Sequence, residues 1–314
     1  MILFYCSAME DLAKSIARLN LDSRMRLPHL LIKPINLGSI IWGVFQNGDP
    51  NIFIESVEHN VEGQDVAFLA SWTSKDFFNQ LAVIYALPRY RARSMKIILP
   101  YFPGTMDRVE VKGQVATAMT LARQLSAVEC KEAELTIYDI HALHEFFYFR
   151  HPVVVRLESG IQLLKSALFS MPDADNVAVA FPDEGAYKRF GRMFPEYSQV
   201  VCYKQRLGDK RKVKIVDGNP RGKHMVIVDD LVMTGGTILE CAHALVAKGA
   251  AAVSAYVTHA VFPNKSYDDM KFPFANFWIT DSYPETIKAM ETISPLNKFE
   301  VLSLAPPIAK ILAE

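Results

Sequence analysis

The sequence contains no CxxC pair. Its four cysteines, Cys6, Cys130, Cys202 and Cys241, are far apart. That spacing argues against a disulfide scaffold or a zinc module and favours a reducing cytosol, so the expected compartment is the cytoplasm. There is no charge imbalance either: Lys plus Arg and Asp plus Glu number 34 each. Nothing global points to nucleic acid or to an anionic membrane surface, and any anion site must be local. No segment has the ~18 apolar residues that a membrane span needs. The opening MILFYCSAMEDLAKSIARLN lacks a basic n-region, and its apolar run is too short for a signal peptide. Pro/Ser-rich linkers and low-complexity segments are missing as well.

What is present is a chain of 314 residues, half of them apolar. At roughly 150 residues per domain this suggests about two domains with substantial cores. Short apolar runs alternate with helical patterns. VAFLASW (66–72) reads as a strand, and FFNQLAVIYALPRY (77–90) as a helix. KIILPYF (96–102) is again a strand, GQVATAMTLARQL (113–125) a helix, and ELTIYDIHA (134–142) a strand. NVAVAF, QVVCYK, HMVIVDD, AVSAYVTHAVF and FANFWITDS continue the pattern with helical stretches between them. Continuous apolar strands alternating with helices predict α/β architecture with doubly wound, mainly parallel sheets. Two such sheets fit the length, with a boundary near His151: one domain over 1–150 and a second over 151–297.

The densest chemistry lies in VIVDDLVMTGGT, residues 226–237. A buried strand runs into Asp229 and Asp230, and an apolar-periodic helix begins near Thr237. Ligands of open parallel sheets bind outside the carboxyl ends of strands. The helix start offers unpaired N–H groups and a positive dipole end. Gly235 and Gly236 let the backbone wrap an anion, and the Thr234 and Thr237 hydroxyls can donate to it. A phosphate fits this description best. The carboxylates would repel it, so their role is to hold hydroxyls or a metal ion. A sugar phosphate has both parts. The plainer alternative is a strand-to-helix turn with Asp and Thr as caps.

Other segments are weaker alone. Asp139 and His141 in YDIHALHEFF fall at a strand end; H-x-x-H-E, with His144 and Glu145, matches no helix-borne zinc motif. Asp183 in AFPDEGAYKRF reads as a helix N-cap. FQNGDPNIF (45–53) is a turn between strands. Residues 204–223 hold eight Lys/Arg and two Asp, mostly a solvated loop, though Lys204 and Arg206 follow an apolar strand directly and could swing over a phosphate.

VIVDDLVMTGGT resembles the 5-phosphoribosyl diphosphate (PRPP) binding motif of type I phosphoribosyltransferases and PRPP synthetases. GVFQNGDPNIFIESV, YFPGTMDRVE, YDIHALHEFFYF, VAFPDEGAYKRF, VCYKQRLGDKR and AYVTHAVF occur in the order of PRPP synthetases, and the resemblance covers essentially the whole chain. DIHALHEFFYF, FPDEGAYKRF, GDKR, SAYVTHAVFP and FWITDS resemble the plant-type, or class II, branch. The resemblance implies two tandem type I phosphoribosyltransferase-like domains, with a tail of about 298–314 returning to the first. It implies transfer of the β,γ-diphosphoryl group of ATP, or of another nucleoside triphosphate, to the C1 hydroxyl of ribose 5-phosphate.

It assigns residues too. Asp229, Asp230, Met233, Thr234, Gly235, Gly236 and Thr237 hold ribose 5-phosphate. Lys204 and Arg206 open a catalytic flexible loop, His141 lies at the ATP phosphates, and His141 and Asp183 serve Mg²⁺. Phe45, Asn47 and Asp49, with Asp in place of the family's Glu, build an adenine pocket reaching across from a neighbouring subunit, which implies a homo-oligomer of at least a dimer. Asp107 and Arg108 are what remains of a longer ATP-contacting string, and the shortening argues against class I-style regulation by phosphate and ADP. Two rival readings are a silent PRPP-synthetase-associated protein and a PRPP-consuming salvage transferase. The former would lack Lys204, Arg206, His141 or Asp183, all present here; the latter would need a nucleobase hood and no second domain.

Overall fold

A computed structural model describes all residues except 27–31, 73–75, 104–108, 110, 208–209, 271–272 and 292–298; side chains of 204–212, 269 and 291 are also outside the description. The chain divides into two compact units, Met1–Glu158 with Ser303–Glu314, and Ser159–Leu302.

In the first unit, β1 (Ile2–Tyr5) leads through a 3-10 turn into α1 (Glu10–Arg26). Glu10 and Asp11 sit at the positive end of the α1 dipole and Arg24 and Arg26 at the negative end. Leu12, Ala13 and Ile16 bury one face, as the 3.6-residue period requires. Then come β2 (Asn36–Leu37), a hairpin of β3 (Ile40–Val44) and β4 (Pro50–Ile54), and α2 (Val57–Asn60). The doubly wound part follows: β5 (Asp65–Leu69), α3 (Phe77–Arg89), β6 (Ser94–Leu99), α4 (Thr117–Ser126), β7 (Ala133–Tyr138) and β8 (Val154–Glu158). The sheet order is β2-β1-β5-β6-β7-β8, parallel throughout.

In the second unit, α5 (Ile161–Phe169) precedes β9 (Val177–Phe181), α6 (Glu184–Phe190), β10 (Ser198–Leu207) and β11 (Lys210–Asp217). Then follow β12 (His224–Val232), α7 (Gly236–Ala247), β13 (Ala252–Ala260), β14 (Phe277–Thr280), α8 (Pro284–Glu291) and β15 (Glu300–Leu302). The order is β11-β10-β9-β12-β13-β14-β15, with β11 antiparallel to β10 and the other pairs parallel. Helices cover both faces, so the strands are buried on both sides and read as unbroken apolar runs. Met225 and Ile227 face the core that contains Ile238, Cys241 and Leu245 of α7. Val226 and Val228 face the core that contains Ala186 and Phe190 of α6. The last helix, α9 (Ala305–Ala313), belongs to the first unit. Lys96 Nζ donates to the Ile311 carbonyl at 2.7 Å, and Arg156 pairs with Glu314 at 2.6 Å.

Three boundaries differ from the sequence reading. The helix expected over 113–125 starts at Thr117, because Gly113 takes φ +101° and cannot continue a right-handed helix. The strand expected over 134–142 stops at Tyr138, where Asp139 turns the chain with φ +36°. The basic stretch after Tyr203 is also more ordered than a loop. β10 continues to Leu207 and pairs with β11, placing Lys204 opposite Val213 and Arg206 opposite Arg211. Val213 and Ile215 alternate inward onto the core while Lys214 and Val216 face water, a two-residue period that the lysines and arginines obscure.

Candidate active site

In the second unit the site is built at the carboxyl ends of β9 and β12. The period-two geometry of β12 sends its adjacent aspartates to opposite faces. Asp230 continues the Val226–Val228 row, toward α6. There its Oδ2 accepts a hydrogen bond from Arg189 Nη1 at 3.2 Å, with side chains 8% and 12% exposed respectively. Asp229 lies on the face of Met225 and Ile227, and its Oδ1 accepts from the Asp230 backbone N–H at 3.0 Å. Burial pushes the Asp229 carboxyl well above the usual carboxylate range, and the charges of Asp230 and Asp183 push it further in the same direction.

Asp183 sits just past β9 and caps α6, its Oδ1 accepting from the Ala186 N–H at 3.0 Å. The capping role read from sequence is therefore real, and it does not exclude a second one: the electrostatic influence of Asp183 on Asp229 makes it part of the same acidic centre. These carboxylates are hard oxygen donors with surplus negative charge, the donor chemistry that suits Mg²⁺ held by one or two carboxylates plus phosphates. Among the described residues, no group of three or more His, Cys, Asp or Glu side chains could hold a metal ion by itself.

After the carboxylates the chain makes its turn. Gly235 adopts φ +78°, a left-handed conformation, and its carbonyl accepts from Leu239 N–H at 2.9 Å in the first turn of α7. A Cβ at Gly235 would lie 2.8 Å from the Met270 sulfur. At Gly236 a Cβ would meet nothing nearer than Thr234 Oγ1 at 3.9 Å, so that side of the loop is open. Thr234 and Gly236 are exposed and Thr237 is half-buried. From beneath, Ser266 Oγ donates to the Met233 carbonyl at 2.7 Å. An open loop of backbone N–H groups at the start of a twelve-residue helix is suited to an anion. Asp229, Asp230, Met233, Thr234, Gly235, Gly236 and Thr237 thus run from the end of β12 into the start of α7, and Asp183 follows β9, the strand paired with β12.

The remaining predicted residues lie elsewhere. Lys204 and Arg206 are on β10, with side chains outside the described residues. In the first unit, Asp139 is buried at the end of β7 and its N–H donates to the Glu158 carbonyl at 2.9 Å. His141 follows it and is exposed. Phe45, Asn47 and Asp49 form the turn of the β3–β4 hairpin. Asn47 Nδ2 donates to Asp49 Oδ2 at 2.6 Å, the Phe45 N–H donates to the Asp49 carbonyl at 2.8 Å, and the Phe45 ring is exposed. Asp107 and Arg108 lie outside the described residues. Arg189, Ser266 and Met270 were not singled out from sequence. Their partners lie 41, 33 and 35 positions away, a distance at which no local pattern signals contact.

Comparison with known proteins gives the family and the fold. Residues 1–128 match the family described as the N-terminal domain of ribose phosphate pyrophosphokinase, and residues 196–281 match the phosphoribosyl transferase domain. The chain is 49% identical over 323 residues to ribose-phosphate pyrophosphokinase 4 of Oryza sativa subsp. japonica, covering 99% of this chain and 94% of that one. The chain belongs to the ribose-phosphate pyrophosphokinase family. It also falls in the plant-type branch: it is 48% identical over 324 residues to the rice protein named ribose-phosphate pyrophosphokinase 3, chloroplastic, covering 99% of this chain and 75% of that one. Among solved structures, the phosphoribosylpyrophosphate synthetase from Mycobacterium smegmatis aligns with a TM-score of 0.79 at 22% identity, over 99% of this chain and 97% of that one. That likeness shows the fold, two phosphoribosyltransferase-type units with mostly parallel sheets. No helix among the described residues is long and apolar enough to cross a membrane.

Proposed function

We propose that the chain is a ribose-phosphate diphosphokinase that transfers the β,γ-diphosphoryl group of ATP to the C1 hydroxyl of ribose 5-phosphate, giving PRPP and AMP. The observation that carries this reading is the pair Asp229–Asp230 near the end of β12, five positions before the left-handed Gly235 and the start of α7. The loop Thr234–Thr237 takes the 5-phosphate on backbone N–H groups and hydroxyls. The two aspartates take the 2- and 3-hydroxyls, directly or through a metal ion. This holds the sugar at both ends and leaves C1 facing outward.

The C1 oxygen then attacks the β-phosphorus of ATP. The bond between the β-phosphorus and the oxygen bridging to the α-phosphate breaks, AMP leaves, and the C1 hydroxyl proton passes to solvent. Little covalent work falls to the protein, so positioning and electrostatics carry the rate. Lys204 and Arg206 stabilise the charge that develops on the transferring group. His141 orients the ATP phosphates, and Asp107 and Arg108 are assigned to nucleotide binding. His141 and Asp183 are the residues that would hold Mg²⁺. Bound there, Mg²⁺ would neutralise phosphate charge and draw ATP into register.

Phe45, with Asn47 and Asp49, forms the adenine pocket. The exposed Val44, Phe45 and Phe53 of the hairpin support a homo-oligomer of at least two copies in which the hairpin reaches a neighbour's nucleotide. The four cysteines are free and buried, which supports a reducing compartment. The cytoplasm is our reading, although relatives carry chloroplastic and mitochondrial names. The activity is tested by AMP release from Mg–ATP with and without ribose 5-phosphate, at low and high inorganic phosphate. AMP should appear only with the sugar, and indifference to phosphate supports class II behaviour. No AMP from a sample that still binds ribose 5-phosphate would refute the reading.

A further inference from the structure

The α6 helix carries more of the site than its capping aspartate. Asp183 stands at its amino end and Arg189 near its carboxyl end, and the two approach the same acidic centre. Arg189 is nearly buried, and its guanidinium lies over the Phe190 ring at 5.1 Å. An aromatic face beneath a planar guanidinium restricts how the group can tilt. Its Nη1 donates to Asp230 Oδ2, the oxygen on the α6 side of β12.

A buried ion pair is poorly suited to stabilising a fold, since desolvation of both charges offsets their attraction and an apolar pair of similar volume often does as well. It is well suited to holding one carboxylate at one angle, because the donor geometry of arginine is rigid. A carboxylate that must receive a sugar hydroxyl needs such support.

We infer that Arg189 is a positioning residue for ribose recognition: its ion pair fixes the Asp230 carboxylate at the end of β12 so that the remaining lone pairs face the sugar hydroxyls. This rests on the reading of the site as a ribose 5-phosphate site. It goes beyond that reading by placing part of the sugar selectivity on a helix outside the phosphate loop. Arg189 acts through Asp230 and not on the phosphate.

The test compares two ligands by calorimetry on the full chain: ribose 5-phosphate, and tetrahydrofurfuryl phosphate, which keeps ring and phosphate but lacks the 2- and 3-hydroxyls. In Arg189→Gln the Kd for ribose 5-phosphate should rise about tenfold or more, as loss of a charge-assisted contact at a buried carboxylate implies. The Kd for the ring phosphate should stay within about twofold, since neither ligand group that it shares meets Asp230. Arg189→Lys keeps the charge and the folded state without the fork, and should restore part of the selectivity. It is the deciding variant if Arg189→Gln does not fold. Equal weakening of both ligands, or of neither, overturns the positioning role while leaving the function intact. A wild-type protein that binds neither ligand refutes the functional reading itself, a separate and distinguishable result.

Discussion

β7 in the first unit and β12 in the second both run into aspartate at their carboxyl ends, but the chain leaves them differently. After β7, Asp139 turns the backbone at φ +36°, His141 emerges into solvent, and a short 3-10 segment, Leu143–Tyr148, follows. β12 carries two aspartates on opposite faces near its end, and after it come Gly235 at φ +78° and a twelve-residue helix. Both strands lie in parallel sheets with helical crossovers, so the sheet is not what distinguishes them. The connection is. A helix start directly beyond the strand end brings N–H groups and a dipole within reach of an anion. A 3-10 segment supplies little of either, and leaves the exposed imidazoles of His141 and His144 to make contact. The first strand end is accordingly suited to touching a ligand held mainly elsewhere, the second to holding one.

That contrast can be broken by mutation. The largest effect belongs to neither strand end. If Lys204 acts on the transferring group as proposed, Lys204→Ala should drop turnover by about 10³-fold or more while the affinity for ribose 5-phosphate stays nearly unchanged. Turnover that survives would remove Lys204 from the mechanism.

The two strand ends then separate by ligand. Asp230→Asn should raise the KM for ribose 5-phosphate by roughly 10²-fold and leave the KM for ATP almost untouched, because a carboxylate contact to hydroxyls is lost. His141→Ala should do the reverse, reducing kcat with ATP by about 10- to 100-fold at unchanged sugar affinity. Steady-state kinetics with each substrate varied in turn would measure both. If the two variants weakened the same substrate, the proposed division of labour would fail.

Gly235→Ala probes the turn itself. An alanine at that φ costs about 1–2 kcal/mol, and its Cβ would press on the Met270 sulfur 2.8 Å away. Thermal melts should show that loss, and ribose 5-phosphate binding should weaken alongside it. The counterpart in the first unit, Asp139→Gly, sits at a positive φ and should relax that strain instead. Stability changes of equal sign would erase the distinction between the two turns.

How far the chain could be read in advance follows the same lines. Strand and helix order was legible because continuous apolar runs and 3.6-residue periods are local, and Gly235–Gly236 was legible because a glycine pair after a strand has few other uses. Arg189 was not: its partner is 41 residues away, and a basic residue on a short helix normally faces water. β11 was hidden by composition, since Lys and Arg at alternate positions conceal the inward Val213 and Ile215. Asp139 was read as strand because propensity cannot foresee a single left-handed residue. Local chemistry announced itself, and tertiary pairing did not.

The smallest effects come from two carboxylates whose surroundings act in opposite senses. In the first unit, Arg93 hydrogen-bonds Asp65, with Ser94 also donating at 2.7 Å, and together they hold the Asp65 carboxyl well below its usual range. Its stabilisation is present above the unfolded value of 3.8 and is lost as the pH falls toward the depressed folded value. Arg93 is 64% exposed, so solvent screening keeps the worth of the pair small. In the second unit the sign reverses. Asp229 is raised, so it imposes no penalty in acid, and stability declines as the pH climbs through its folded value and the carboxylate must ionise beside Asp230 and Asp183. In chelator-treated, ligand-free buffer, Asp65→Asn should therefore be less stable than wild type at pH 7 and converge with it in strong acid. Asp229→Asn should match wild type near pH 4 and become the more stable protein as the pH rises, while binding the sugar less well. Melting curves from pH 3 to 8 would record both trends. An Asp229→Asn variant that gained nothing at higher pH would mean that the second strand end is not strained by its own charge, and that holding the sugar costs the empty site no stability.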